Sequence, residues 1–318
     1  MLARDAVGLE GPDYEVDIER GKIREFARAM RAPLPDFVEG RNAVIPATFL
    51  ASAPYGWGYT LERPRGTVFE QIEHDLSVSL HGEEAFVFHG EPPRAGDRLV
   101  ARGSLERVDV RTGARGGELT LLTFLTTYRT LDGAPVAEQR STSITAGATP
   151  GAGDWDVAVP EYAPEYVGQD PPATFGTADR VGWDDLVEGE GPPEVTLPPL
   201  TLRDTVLFQG VEGETDPMHY DQALARSHGY PTVFGLGMCQ ASYLAAYAAS
   251  RIDPAAVRSF RARFSNIFWP GDRLSYSFRV ARRQRHPESG SRLAELELVC
   301  RRASGEPIVN AWMGLDLG

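Results

Sequence analysis

"AGDRLVARG" (95–103) and "PGDRLSYSF" (270–278) share Gly-Asp-Arg-Leu, with Gly96 and Gly271 standing 175 residues apart. A second anchor follows in each half: "LDGAPVAEQ" and "ASGEPIVNA" place Gly-x-Pro at Gly133 and Gly305, 172 apart. Two anchors at nearly one offset mark an internal repeat, and a repeat governs the architecture of the whole chain. Short strand patterns, "EAFVFHGEPP" and "FRARFSNIFW", precede the two Gly-Asp pairs, and alternating ones, "ELTLLTFLTTYRT" and "RLAELELVCRRA", follow. In the last of these, Leu296, Leu298 and Cys300 point one way and Glu295, Glu297 and Val299 the other, as the period of a half-buried strand requires. Gly-Asp and Asp-Gly supply the turns, so each half reads as a curled antiparallel sheet.

Each half also carries a helical segment. "ERGKIREFARAM" puts Ile23, Phe26, Ala27 and Met30 on one helical face, and "MCQASYLAAYAAS" is a helix of small residues that a sheet can wrap closely. From Gly147 to about Pro199 prolines and glycines accumulate, which predicts a long connection over the surface. The fold class is α+β, with an N-terminal domain at 1–146, a linker at 147–181 and a C-terminal domain at 182–318.

The chain has 318 residues, 42% hydrophobic and 24% charged, the balance of a globular protein. No apolar run approaches the roughly 20 residues that cross a bilayer, and the N-terminus lacks a signal-peptide pattern, so a cytoplasmic protein without a membrane partner is expected. A net charge of −13, with no basic aromatic stripe, argues against nucleic acid. Cys239 and Cys300 sit in apolar segments without a CxxC spacing and read as buried free thiols. No metal cluster and no glycine-rich phosphate loop is indicated, and no cofactor is expected.

The chemistry concentrates in "GETDPMHYD", Gly213–Asp221. Aligning Phe26 with Phe208 lays "MRAPLPDF" over "EGETDPMH": Pro35 falls on Pro217, Ala32 on Glu214 and Phe37 on His219. The sister loop keeps the turn and lacks both acid and base. A purely structural pair would be needed in both copies, so the comparison favours catalysis. Elsewhere, His74, His81 and His89 read as surface or strand-end residues, and His228 as a helix end. Arg258, Arg261 and Arg263 read as a solvated strand face or a phosphate contact. Tyr243 and Tyr247 read as core.

"FQGVEGETDPMHYDQALARSHGYPTVFGLGM" (208–238) resembles the signature of the MaoC-like, or hydratase 2, enoyl-thioester hydratases and dehydratases, and the N-terminal half resembles the first domain of their double-hotdog members. The resemblance covers about Tyr14–Thr145 and Trp183–Leu317. It implies two hotdog domains in one chain, each an antiparallel sheet around a central helix. It also implies (R)-specific hydration of 2-enoyl thioesters, or dehydration of 3-hydroxyacyl thioesters, on coenzyme A or acyl carrier protein in fatty acid metabolism. Carried over, Glu214 is the catalytic carboxylate and His219 its imidazole. Gly237 N–H is the oxyanion donor, and Asp216 and Gly235 belong to the substrate-binding set. Glu214 stands where the family has Asp, Asp216 where it has Asn, and Leu236 where it often has His. A hotdog thioesterase and a non-catalytic acyl-binding subunit remain alternatives, and a homodimer of double hotdogs is compatible with the resemblance.

Overall fold

The structure is a computed structural model that describes residues 3–60, 64–73, 79–113, 117–146 and 173–318. The N-terminal half contains β1 (Tyr14–Asp17), α1 (Arg20–Ala29), α2 (Pro35–Val38), α3 (Ala53–Gly56) and α4 (Val68–Gln71). Its long strands are β2 (Leu80–Phe88), β3 (Arg98–Thr112), β4 (Glu118–Thr130) and β5 (Pro135–Ala146). The C-terminal half contains β6 (Val195–Thr196), α5 (Leu202–Glu212), α6 (Gln222–Ser227) and α7 (Gly237–Ala249). It ends with β7 (Val257–Phe264), β8 (Leu274–Arg285), β9 (Arg292–Arg302) and β10 (Pro307–Asp316).

The ten strands form one antiparallel sheet in the order β1-β3-β4-β5-β2-β7-β10-β9-β8-β6. Exchanging each strand for its counterpart reverses that order onto itself, so the two halves meet at β2 and β7, where Phe86 lies opposite Phe260. Each half is a hotdog unit, as the repeat requires.

The anchors occupy equivalent turns. Gly96 and Gly271 have φ of 99° and 94°, and their N–H groups donate to Ile18 O and Leu200 O, both at 2.8 Å. Asp97 accepts from Arg94 N–H and Asp272 from Trp269 N–H, at 2.7 and 2.9 Å. Gly133 and Gly305, also at positive φ, close matching hairpins onto Thr130 O and Arg302 O. Glycine tolerates this left-handed backbone without the Cβ penalty, so the motif survives in both copies. Leu296, Leu298 and Cys300 are buried, as the alternation predicts.

The sheet wraps α7, in which every residue from Met238 to Ala248 is buried. Alanine and serine allow that closeness: Thr48 Oγ1 and Ser242 Oγ meet at 2.7 Å. Two expectations need correction. The counterpart of α1 is α5 and not α7, as the alignment of Phe26 with Phe208 has it, and the two rings meet edge to face across the halves with centroids 5.5 Å apart. The place of α7 in the N-terminal half is taken by a buried 3-10 turn, Phe49–Ser52, and the single turn of α3. The connection between halves is also not all surface. Residues 147–172 lie outside the described ones, but Phe175 is 3% exposed. Its ring packs on Tyr243, Tyr247 and Tyr276, because an aromatic side chain fills the gap beside α7.

Candidate active site

The loop after α5 is built from its helix cap outward. Gly213, at φ 92°, ends α5 in the left-handed conformation, and a Cβ there would meet Tyr55 Cβ at 2.9 Å. The loop therefore packs directly on the N-terminal half. Asp216 Oδ1 accepts from Met218 N–H at 2.9 Å and caps the 3-10 turn Pro217–His219. Pro217 opens that turn, where its missing N–H costs nothing. The sister loop repeats the frame: Arg31, at φ 58°, follows α1, and Pro35 opens α2.

Glu214 is half-buried. Its Oε1 accepts from Asp216 N–H at 2.5 Å, and its Oε2 from Gln209 Nε2 at 3.0 Å. Gln209 Nε2 also reaches Asp216 O at 3.1 Å, so one amide fixes both the carboxylate and the loop. A carboxylate has about four lone-pair positions, so these two bonds leave capacity for a water. His219, 8% exposed, donates from Nδ1 to Phe234 O at 2.9 Å. The carbonyl can only accept, so Nδ1 carries the proton, and in the neutral ring Nε2 is the acceptor. Among the described residues no hydrogen bond joins Glu214 to His219 directly.

The anchoring carbonyl of Phe234 stands three residues before α7. Gly235 N–H donates to Phe268 O at 2.8 Å, and a Cβ on Gly235 would overlap the Phe268 ring at 1.8 Å. Its N–H is therefore committed to packing. Gly237 is the first residue of α7, where N–H groups lack intrahelical acceptors and the helix dipole favours negative charge. A Cβ there would strike the Phe264 ring at 2.9 Å. A small cavity of about 10 Å³, room for one water, lies beside this end of the helix, lined by Thr205, Gly235, Leu236, Cys239 and Phe268 among others; Glu214, His219 and Gly237 are not part of its lining.

Residues 5–139 match the FAS1-like dehydratase domain region, and residues 188–297 match the MaoC like domain. The chain belongs to the MaoC-like, double-hotdog family. A solved MaoC-like dehydratase superposes with a TM-score of 0.76 at 23% identity, covering 99% of this chain and 100% of that one. A MaoC-like dehydratase from Phytophthora capsici gives 0.66 at 17% identity, covering 99% and 97%. A conserved hypothetical protein from Mycobacterium tuberculosis with a double hotdog fold gives 0.58 at 14%, covering 99% and 98%. No curated protein matches the sequence.

Within this MaoC-like frame the remaining expectations can be placed. Cys239 and Cys300 are buried, and burial pushes both thiols far up, away from reactivity. Tyr243 lies in the core, where its hydroxyl accepts from Arg31 Nε at 3.1 Å, while Tyr247 donates to Pro193 O. Arg258 bonds Ala255 O and Val257 O, Arg261 lies over Trp312 at 4.3 Å, and Arg263 pairs with Glu83. His228 caps α6 through Leu224 O, and His89 pairs with Glu138 at a strand end. His74 lies outside the described residues, which contain no helix long and apolar enough to cross a membrane and no metal-holding cluster.

Sequence reasoning missed three acids and bases. His81 Nε2 lies 2.8 Å from Glu84 Oε2, and Glu84 is 2% exposed. Glu212, also 2% exposed, has no hydrogen-bond partner for Oε2. Burial first, then Glu214 and Glu84, push its carboxyl well above the ordinary range, with Lys22 partly offsetting them. Carboxylates from both halves thus act on Glu212. The spacing His-x-x-Glu at 81–84 was the available signal, hidden because strand alternation places positions 81 and 84 on opposite faces.

Proposed function

We propose that the protein hydrates 2-enoyl thioesters, or dehydrates 3-hydroxyacyl thioesters, of coenzyme A or acyl carrier protein. The observation that carries the reading is the difference between two superposable loops. The loop after α5 has Glu214 and His219, and the loop after α1 has Ala32 and Phe37 on the same cap-and-proline frame.

In the reaction, Glu214 and His219 Nε2 hold a water and take its proton as the oxygen bonds to Cβ. Electron density moves onto the thioester oxygen, and the Gly237 N–H stabilises it at the dipolar end of α7. Gln209 holds Glu214 in place, which matters because a displacement near 1 Å can cost on the order of 100-fold in rate. Asp216 contributes through the cap that orients His219. The Glu-for-Asp exchange keeps thioester hydrolysis as the second reading.

The test is incubation of the chain with crotonyl-CoA and with a long-chain enoyl-CoA, following the enoyl chromophore and free thiol together. Chromophore loss without thiol is the expected result. Thiol release instead supports hydrolysis, and neither signal would remove the enzymatic reading.

A further inference from the structure

Helices α1 and α5 lie side by side and antiparallel, in a register that three contacts set. Lys22 Nζ donates to Val211 O, Phe26 meets Phe208, and Arg31 Nη2 reaches Asp204 Oδ1 at 2.6 Å. With Phe26 and Phe208 on the buried faces, helical periodicity turns Arg24 and Arg28 of α1 outward together with Arg203, Val206, Leu207 and Gly210 of α5. The register sets Arg24 beside Gly210 and Arg28 beside Val206.

Three features of this surface have no explanation within the chain. Val206 and Leu207 are 55% and 45% exposed. Apolar side chains scattered singly over a surface are ordinary, but two together inside a charged rim have the composition of a contact. Gly210 weakens the helix it interrupts, yet a Cβ there would meet nothing within 4 Å. A missing Cβ lets another backbone approach closely. Finally, Arg24, Arg28 and Arg203 make no side-chain hydrogen bond or ion pair among the described residues, and Glu25 is the acid that shares their surface. Exposed arginines elsewhere, such as Arg98, Arg102 and Arg279, are each matched by an acid.

A basic rim around an apolar centre attracts an acidic partner, and on a chain of net charge −13 it also orients that partner, because the acids elsewhere repel it. A second copy of the chain fits poorly: in a two-fold contact the surface faces itself, and arginines meet arginines. The surface is also close to the chemistry. Helix α5 ends at Glu212 and leads through Gly213 into Glu214, so Leu207 stands roughly 10 Å along the helix axis from that loop.

We propose that the outer surface of α1 and α5 seats an acidic acyl carrier protein, which presents its thioester on a prosthetic arm to the Glu214 loop. The inference rests on the proposed function and deepens it, naming a carrier protein rather than coenzyme A as the bearer of the acyl group.

The experiment assays the full chain with crotonyl-acyl carrier protein and with crotonyl-CoA, as wild type, as the triple variant Arg24→Glu, Arg28→Glu, Arg203→Glu, and as Leu207→Ser. Both variants are expected to raise KM for the carrier substrate by about 10-fold or more, since reversed rim charges repel the partner and the apolar centre anchors it. Added salt should raise the same KM in the wild type and not in the triple variant. Turnover of crotonyl-CoA should stay unchanged, which also shows that the variants fold. Equal KM for the carrier substrate in all three proteins overturns the inference. An equal loss with crotonyl-CoA overturns it too, in favour of a site for the coenzyme's phosphates, as does a wild-type dimer that the triple variant splits in light scattering. Calorimetric titration with the unloaded carrier separates this inference from the proposed function. Binding that the triple variant loses keeps the docking surface even where neither thioester is hydrated, and that absence of hydration overturns the proposed function alone.

Discussion

The residue that decides most is Glu214, because its longer side chain is already accommodated. Asp216 N–H and Gln209 Nε2 fix both carboxylate oxygens, so shortening the chain would withdraw the oxygens from donors that do not follow. Glu214→Asp is expected to reduce hydration, and Glu214→Gln to reduce it further, since an amide cannot accept the water's proton; steady-state rates with crotonyl-CoA order the three proteins. His219→Ala should lower kcat by at least about 100-fold with the fold retained. Circular dichroism together with turnover separates this from a packing role, which would unfold the variant instead. The buried Glu212 makes a different prediction. Its folded pKa lies above its unfolded value, so the native state retains a proton that the unfolded chain gives up as pH rises past about 4.5. Its contribution to stability is complete at lower pH and declines as pH climbs towards the folded pKa. Urea unfolding at pH 5 and pH 8 should therefore show Glu212→Gln gaining on the wild type at the higher pH.

At the scale of elements, α5 explains both what the sequence revealed and what it concealed. Its inward face carries Asp204, Thr205, Phe208, Gln209 and Glu212, while Val206 and Leu207 are 55% and 45% exposed. Apolar periodicity finds helices that bury apolar faces, and this helix buries mostly polar groups, so it was invisible. Its loop was legible because proline, glycine and a repeated frame are local signals. Strand β9 was legible through its alternation, whereas regular alternation sets His81 and Glu84 on opposite faces, and the register slip at Gly82 in β2 that brings them together has no counterpart in the apolar pattern. The polar interior of α5 depends on a cross-half ion pair: Arg31 Nη2 meets Asp204 Oδ1 at 2.6 Å, with both side chains under a tenth exposed. Removing one partner of a buried pair strands the other charge, at a cost of about 3–5 kcal/mol. Arg31→Met is expected to lower chemical stability by about that amount, and adding Asp204→Asn to recover part of it; a double-mutant cycle in urea measures both.

For the whole molecule, the seam between β2 and β7 joins two hotdogs into one sheet, with Phe86 and Phe260 opposite each other and both buried. A cavity at that seam weakens both halves at once. Phe86→Ala should cost about 3–5 kcal/mol and lower a single calorimetric transition, whereas two transitions with one shifted would mean halves that unfold independently. Placing both hotdogs on one chain also changes what a substitution does. Between identical subunits each exchange enters twice, at sites related by the symmetry axis. Here Arg31 and Phe37 could enter one loop while Glu214 and His219 stayed in the other. A molecule whose strand order reads the same from either end thereby carries the acid and the histidine in one of its two equivalent loops. Titration with a tight-binding thioester analogue should saturate at one equivalent per 318-residue chain.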